Sequence, residues 1–190
     1  MYRIVIFASG SGTNAENIIR YFKDSNFARV SWVLCNRAEA GVLDRAEALG
    51  VPTRVFSKKQ LFSSDFIDFV RKEADLVVLA GFLLKIPAEL TRSFPGAMVN
   101  IHPALLPKYG GKGMYGMNVH KAVVSNKEKE SGITIHYVNE NYDEGAIIFQ
   151  KKVQLEAADT AEDVAAKIHL LEQENFPAVI EELLKGMDEG

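Results

Sequence analysis

The sequence lacks several features that mark specialised classes of protein. It has one cysteine in 190 residues, Cys35, which excludes an intramolecular disulfide and a multi-cysteine zinc site. No apolar run approaches the roughly 20 residues of a membrane-spanning helix, and the opening MYRIVIFASG is too short in apolar residues for a signal peptide. We therefore expect a cytoplasmic protein in which Cys35, inside the apolar run VSWVLC, is a buried thiol.

A strong charge of either sign is also missing. The chain has 22 Lys and Arg against 25 Asp and Glu, a net charge of -3. This balance argues against a general binder of nucleic acid or of membrane surfaces, so any anion must be held locally by backbone amides or a few cations. The length and the 47% hydrophobic content predict a single domain over residues 1–190.

Apolar runs typical of strands alternate with segments of helical period. Strands are predicted at 2–8, 30–36, 53–56, 75–81 and 97–101, and helices at 14–24, 40–50 and 61–74, with Asn14 as the first N-cap. A glycine-rich loop at 110–116, a short helix, two strands at 132–138 and 146–155 and a final helix around Pro177 follow. The pattern predicts an α/β fold: a doubly wound, mostly parallel, Rossmann-like sheet with helices on both faces.

The stretch FASGSGTN links the first strand to the first helix and predicts an anion site. A dinucleotide fingerprint needs a third glycine where the chain has Ala15, and an acid where it has Asn36 and Arg37. A nest at residues 12–14, sized for one phosphate, fits better. A turn that binds nothing, and an NADP-dependent reductase that uses Arg37, stay open as alternatives.

Asn100 and His102 lie two residues apart at the end of the fifth predicted strand, so both side chains share one face. Ligands bind at the carboxyl ends of such strands, and an amide beside a protonated imidazole suits a reaction that builds negative charge on an oxygen. The histidine then needs a nearby carboxylate, and Asp143 in the polar loop NENYDEG is the candidate. A simple hairpin turn is the alternative for this loop.

The remaining histidines give weaker signals. His136 either faces the same cleft or is a hydrogen-bonded residue of the sheet. His120 is expected at the surface of the short helix, and His169 and Glu172 share one face of the final helix, for which a solvated face is the alternative to a site. None of these spacings is that of a zinc site, so no metal is expected.

Five segments together resemble the folate-dependent formyltransferases: SGSGTN, VVLAGFLLKIP, NIHPALLPKYGGKGMYG, SGITIHYVNENYDEGAIIFQ and EQENFPAVI. The resemblance spans nearly the whole chain. It implies the formyltransferase form of the Rossmann-like fold and the transfer of a formyl group from 10-formyltetrahydrofolate to the amine of glycinamide ribonucleotide, in purine biosynthesis. The implied partners are these two small molecules, without metal or nucleic acid, bound by a monomer or a homodimer.

By position, the resemblance also implies roles for individual residues. The catalytic group is Asn100, His102 and Asp143; the substrate is bound by Gly12, Thr13, Asn14 and Glu172; and the folate is bound by Leu83, Leu84, Lys85, Ile86 and Asn100. Leu84 stands where the family commonly has Arg, which leaves only backbone contacts at that position. Another folate-dependent formyltransferase or a deformylase with a different small substrate, and a non-catalytic phosphate-binding module, stay open.

Overall fold

The computed structural model of the protein describes residues 1–188. This part of the chain contains seven strands and seven helices, which alternate through most of its length. The strands are β1 Tyr2–Ala8, β2 Ala28–Cys35, β3 Thr53–Val55, β4 Leu76–Leu79, β5 Met98–His102, β6 Glu130–Tyr137 and β7 Ile147–Gln154. The helices are α1 Thr13–Phe22, α2 Gly41–Ala48, α3 Lys58–Leu61, α4 Ser64–Glu73, α5 Ala88–Ser93, α6 Met117–Ser125 and α7 Ala161–Asp188.

All seven strands form one sheet in the order β3-β2-β1-β4-β5-β6-β7. Strands β1 to β5 are parallel to their neighbours, whereas β6 pairs antiparallel with β5 and β7 pairs antiparallel with β6. The chain crosses over between β3 and β4 to the other side of β1, which opens a crevice at the carboxyl ends of the central strands. The predicted doubly wound, mostly parallel fold is confirmed.

The central strands are buried on both faces, as their continuous apolar runs predicted. Residues Ile4 to Ala8 of β1 have no exposed surface, and all four residues of β4 are buried. Helices α1, α2, α6 and α7 contact one another as one group, and α3, α4 and α5 form a second group. A cluster of aromatic rings lies on the side of the second group. In this cluster the ring centre of Phe7 lies 5.8 Å from that of Phe56 and 5.3 Å from that of Phe82. Phe82 therefore anchors the start of the segment that leads to Ile86.

Two local predictions were wrong. Gly12, not Asn14, is the N-cap of α1, because its φ of 78° is a left-handed conformation that glycine adopts without strain. The helix predicted at 61–74 begins later, as α4 at Ser64, because the hydroxyl group of Ser63 caps it, and Leu61 instead ends the short helix α3, which Ser57 caps. Helix α5 was not predicted at all, since its six residues are too short to show a period.

Helix α7 continues through Pro177. Proline has no N–H group, so the carbonyl of Gln173, four residues earlier, loses its helical donor. The side chain of Asn17 on α1 donates a hydrogen bond to this carbonyl at 2.8 Å. A polar contact from a neighbouring helix thus replaces the missing bond and joins α1 to α7.

Cys35 is buried as expected, and burial raises the pKa of its thiol. No helix within residues 1–188 is long and apolar enough to cross a membrane.

Candidate active site

The last residues of β5 place two polar side chains on one face of the sheet. Across the β5–β6 ladder, Asn100 lies opposite His136 and His102 lies opposite Thr134. Residues alternate between the two faces of a strand, so Asn100, His102 and His136 share a face. Both histidines are nearly fully buried, with 3% and 2% of their surfaces exposed. The predicted pair therefore lies at the carboxyl end of β5, together with a third polar residue from β6.

Asp143 reaches this pair from the loop between β6 and β7. Its carboxylate lies 3.6 Å from Nδ1 of His102 and 3.6 Å from Nε2 of His136, and it accepts a hydrogen bond from the backbone N–H of Gly111 at 2.9 Å. The loop returns closely enough that a Cβ atom on Gly145 would lie 1.6 Å from the carbonyl oxygen of Tyr137. The loop is thus more than a hairpin turn, since it delivers a carboxylate between two imidazoles.

His136 is the member of this cluster whose place the sequence left open. Its Nδ1–H donates to the carbonyl of Tyr137 at 2.8 Å, so Nε2 is left to accept a hydrogen bond from the amide of Asn100 at 3.1 Å. This pair of contacts orients the Asn100 amide and leaves its second N–H available to a ligand. Asn100, His102, His136 and Asp143 are called the acid–histidine cluster below.

The pKa of His102 is shifted in the opposite direction to the one expected. Burial lowers the pKa of this imidazole below its ordinary value of 6.5, although Asp143 and the Tyr109 carbonyl act to raise it. Its Nε2–H donates to that carbonyl at 2.7 Å, so Nδ1 is the nitrogen that faces the carboxylate. Asp143 was expected to keep His102 protonated; in the structure desolvation outweighs this attraction and lowers the pKa of His102, which favours the neutral imidazole.

Asp143 itself remains ionised. Burial acts to raise the pKa of this carboxyl group, but the contact with the His136 side chain, the attraction of the His102 imidazole in its protonated form and the hydrogen bond from Gly111 together lower it below its ordinary value. The cluster thus holds a carboxylate against a neutral imidazole, an arrangement that favours uptake of a proton by His102 when negative charge develops nearby.

A cavity adjoins the acid–histidine cluster. Its lining includes Leu84, Lys85, Ile86, Asn100, His136 and Asp143. Four of the five predicted folate-binding residues therefore line it. The fifth, Leu83, is not in the lining, because its backbone N–H donates to the hydroxyl of Ser9 at 3.0 Å and its side chain is exposed. Lys85 Nζ lies 5.6 Å from the ring centre of Tyr142, another lining residue.

The predicted phosphate nest is the start of α1. Gly12 has a left-handed backbone, and a Cβ atom there would lie 2.5 Å from the backbone of Val42. Thr13 and Asn14 are the first two residues of the helix. The first four N–H groups of a helix have no partner within it and form a positive end, which suits a phosphate.

Glu172 on α7 lies next to this helix end. Its carboxylate accepts a hydrogen bond from Nδ2 of Asn14 at 2.9 Å and lies 3.6 Å from Nδ1 of His169. The Glu172 side chain is only 13% exposed, compared with 40% for His169, so the alternative of a solvated helix face does not describe Glu172. The hydrogen bond with Glu172 raises the pKa of His169. Glu172 is thus held at the junction of α1 and α7.

His120 was expected at the surface and is instead buried, with 5% exposure. The pattern of α6 did not reveal this, because the face that is covered depends on where α6 packs against α7, and that contact is distant in sequence. Asn14, His120, His169 and Glu172 are called the Glu172 group below. Within residues 1–188, no three His, Cys, Asp or Glu side chains are placed to hold a metal ion together.

Comparison with known proteins gave consistent matches. Residues 2–180 match the family described as formyl transferase. The chain is 42% identical to the chloroplastic phosphoribosylglycinamide formyltransferase of Vigna unguiculata, over 95% of this chain and 60% of that protein. It is 36% identical to the phosphoribosylglycinamide formyltransferase of Bacillus subtilis, over 97% of this chain and 95% of that protein.

Solved structures are similar as well. A crystal structure of phosphoribosylglycinamide formyltransferase from Bacillus halodurans superposes with a TM-score of 0.85 at 34% identity, covering 96% of this chain and 95% of that one. Glycinamide ribonucleotide transformylase 1 from Symbiobacterium toebii superposes with a TM-score of 0.88 at 30% identity, covering 98% and 89%.

Proposed function

The chain belongs to the formyl transferase family, and on that premise we propose that it transfers a formyl group from 10-formyltetrahydrofolate to the amine of glycinamide ribonucleotide. The observation that carries the proposal is the position of Asp143, whose carboxylate faces His102 and His136 at 3.6 Å each, beside the Asn100 amide. The product belongs to purine biosynthesis, as in the relatives named trifunctional purine biosynthetic protein.

The cavity fits the folate. Its walls include apolar side chains from Leu79, Phe82, Leu84, Ile86 and Val138, which suit the faces of a flat heteroaromatic ring. Backbone groups of Leu84, Lys85 and Ile86 provide donors and acceptors for the ring edge. Leu83 supports this segment through Ser9 instead of contacting the ligand. When bound, 10-formyltetrahydrofolate supplies the formyl group and leaves as tetrahydrofolate.

The other end of the site fits glycinamide ribonucleotide. The N–H groups at Gly12, Thr13 and Asn14 bind its single phosphate at the start of α1, and no second phosphate is required. Glu172, held by Asn14, accepts hydrogen bonds from the hydroxyl or amine groups further along the substrate. The amine is thereby directed towards the acid–histidine cluster.

The chemistry follows from the charges of the cluster. Asn100 donates its free N–H to the formyl oxygen as negative charge develops there, a contribution of about 3 kcal/mol. Neutral His102 accepts at Nδ1 the proton that the attacking amine loses, because Asp143 faces that nitrogen and stabilises the imidazolium. The proton then passes to the departing nitrogen, so His102 returns to its neutral form.

An absorbance assay of tetrahydrofolate formation, with and without glycinamide ribonucleotide, tests the proposal. We expect turnover only when both substrates are present. Formate release without the amine would indicate a deformylase, and turnover with a sugar-nucleotide amine instead would indicate a different formyltransferase. Binding of a folate analogue without any turnover would indicate a non-catalytic module.

The reductase alternative has no support in the site. Asn36, at the position of the acid that binds a dinucleotide ribose, accepts a hydrogen bond from Ser9 at 2.6 Å. The partners we propose are the two small molecules, bound by a monomer or a homodimer without metal or nucleic acid. The compartment we propose is the cytoplasm, although two plant relatives carry the word chloroplastic in their names.

A further inference from the structure

His120 has an unusual environment for a buried histidine. Its Nδ1 atom is buried and has no hydrogen-bond partner among residues 1–188. Buried polar atoms are nearly always hydrogen-bonded, because burial without a partner costs free energy. A side chain that only fills space in α6 would more favourably be apolar, so the ring nitrogen requires a specific explanation.

A second buried atom without a partner lies in the same group. Oδ1 of Asn14 has no hydrogen-bond partner within the described residues, whereas Nδ2 of the same amide is fixed on Glu172. Burial lowers the pKa of His120 most, and the titratable groups that act on it are Glu172, which raises this pKa, and His102, which lowers it when protonated. Helices α1 and α6 both pack against α7, which carries Glu172. Two unpartnered atoms therefore lie on the two helices that pack against α7, and Glu172 on α7 is hydrogen-bonded to Asn14 and acts electrostatically on His120.

We infer that His120 is a further substrate-binding residue, which contacts the hydroxyl- and amine-bearing part of glycinamide ribonucleotide. The inference rests on the proposed function and adds a residue to the Glu172 group. The neutral imidazole with its proton on Nε2 presents Nδ1 as an acceptor, and Asn14 Oδ1 and Glu172 are acceptors too. Three acceptors complement a ligand rich in donors, which the ribose hydroxyls and the amine supply between the phosphate and the formyl group.

Ser131 offers a matched control. Its Oγ is the third buried side-chain atom without a partner in the described part of the chain. It lies on β6 five residues before His136, and alternation along the strand places its side chain on the opposite face. Ser131 thus shares the unpartnered burial of His120 without access to the active site.

The test compares His120→Leu, His120→Asn and Ser131→Ala. We expect His120→Leu to raise KM for glycinamide ribonucleotide at least about tenfold, with KM for the folate and kcat changed less than about threefold. His120→Asn keeps an acceptor near Nδ1 and recovers most of that loss. Both His120→Leu and Ser131→Ala retain or raise Tm, because each removes an unpartnered atom, and Ser131→Ala leaves both KM values unchanged.

A KM for glycinamide ribonucleotide within twofold of the parent in His120→Leu overturns the inference, as does an equal rise in both KM values. Calorimetric titration with glycinamide ribonucleotide separates this failure from a failure of the proposed function. If the parent protein binds the ribonucleotide without turnover, the proposed function is wrong. The role of His120 is then decided by the Kd alone, and a Kd of His120→Leu equal to that of the parent overturns the inference. If the parent does not bind it, both fail.

Discussion

The two ends of the site differ in how their polar atoms are bonded. In the acid–histidine cluster, both ring nitrogens of His136 and His102 face protein atoms, and Asp143 is held by Gly111. In the Glu172 group, the buried atoms Asn14 Oδ1 and His120 Nδ1 have no partner within residues 1–188. We infer that the groups proposed for chemistry are oriented by the fold itself, whereas the groups proposed for recognition leave acceptors for a substrate to satisfy.

The largest expected effect is on the chemical end. His102→Ala removes the group that takes the proton from the amine, so we expect kcat to fall at least about a hundredfold while KM for each substrate stays within about threefold. Steady-state assays with both substrates measure this, with the far-ultraviolet circular dichroism spectrum as the control for folding. Near-normal turnover in this variant would remove His102 from the mechanism.

The next effect concerns the turn that begins α1. Gly12→Ala combines a left-handed φ of 78° with a Cβ atom 2.5 Å from Val42, and we expect a loss of about 2 kcal/mol of stability. Thermal unfolding should show Tm lower by roughly 4–8 °C. Gly10→Ala is the matched control, because a Cβ atom at Gly10 meets nothing within 4 Å. Equal Tm values for the two variants would contradict the account of this turn.

A smaller effect is expected for the residue that orients Asn100. His136→Phe removes the acceptor that orients the Asn100 amide. We therefore expect kcat to fall about tenfold with little change in KM, a loss of the size seen when a residue that orients a metal ligand is removed from other enzymes. His136→Gln offers an acceptor again and should recover part of the loss. If the two variants behave alike, the ring packs in the site without orienting the amide.

The smallest effect is a pH dependence of stability. The pKa of His102 is lower in the folded state, so just below pH 6.5 the unfolded chain binds more protons and stability falls as the pH falls. His169 has a raised pKa and the opposite sign, but it is 40% exposed and contributes less. Urea unfolding between about pH 7 and pH 5 should show a decline that is shallower in His102→Asn. An equal slope in both proteins would contradict the burial effect.

Much of the fold was predictable because its signals are local. Continuous apolar runs predicted the buried strands β1 and β4, and the two-residue spacing of Asn100 and His102 predicted their common face. The glycines of the first loop predicted a tight turn into α1. These signals need only the period of a strand and the backbone freedom of glycine.

The remaining features depend on contacts between distant segments. His136 meets Asn100 only because β6 pairs antiparallel with β5 in one register, which no local pattern in GITIHYV reveals. The burial of His120 depends on where α7 packs, and the neutral state of His102 depends on how completely the site is desolvated. The sequence therefore predicted where a polar residue lies in the sheet better than it predicted the charge state of that residue.

The central claim is that the acid–histidine cluster performs the chemistry and the Glu172 group binds the substrate. The most direct test is to measure kcat and KM of Asp143→Asn and Glu172→Gln side by side at varied concentrations of glycinamide ribonucleotide. The amide introduced by Asp143→Asn still offers an acceptor to the Gly111 N–H but lacks the charge, so this variant should lose about a hundredfold in kcat with KM within about threefold. Glu172→Gln should raise KM about tenfold and retain most of kcat. A fall in kcat together with a similar rise in KM in both variants would contradict the account.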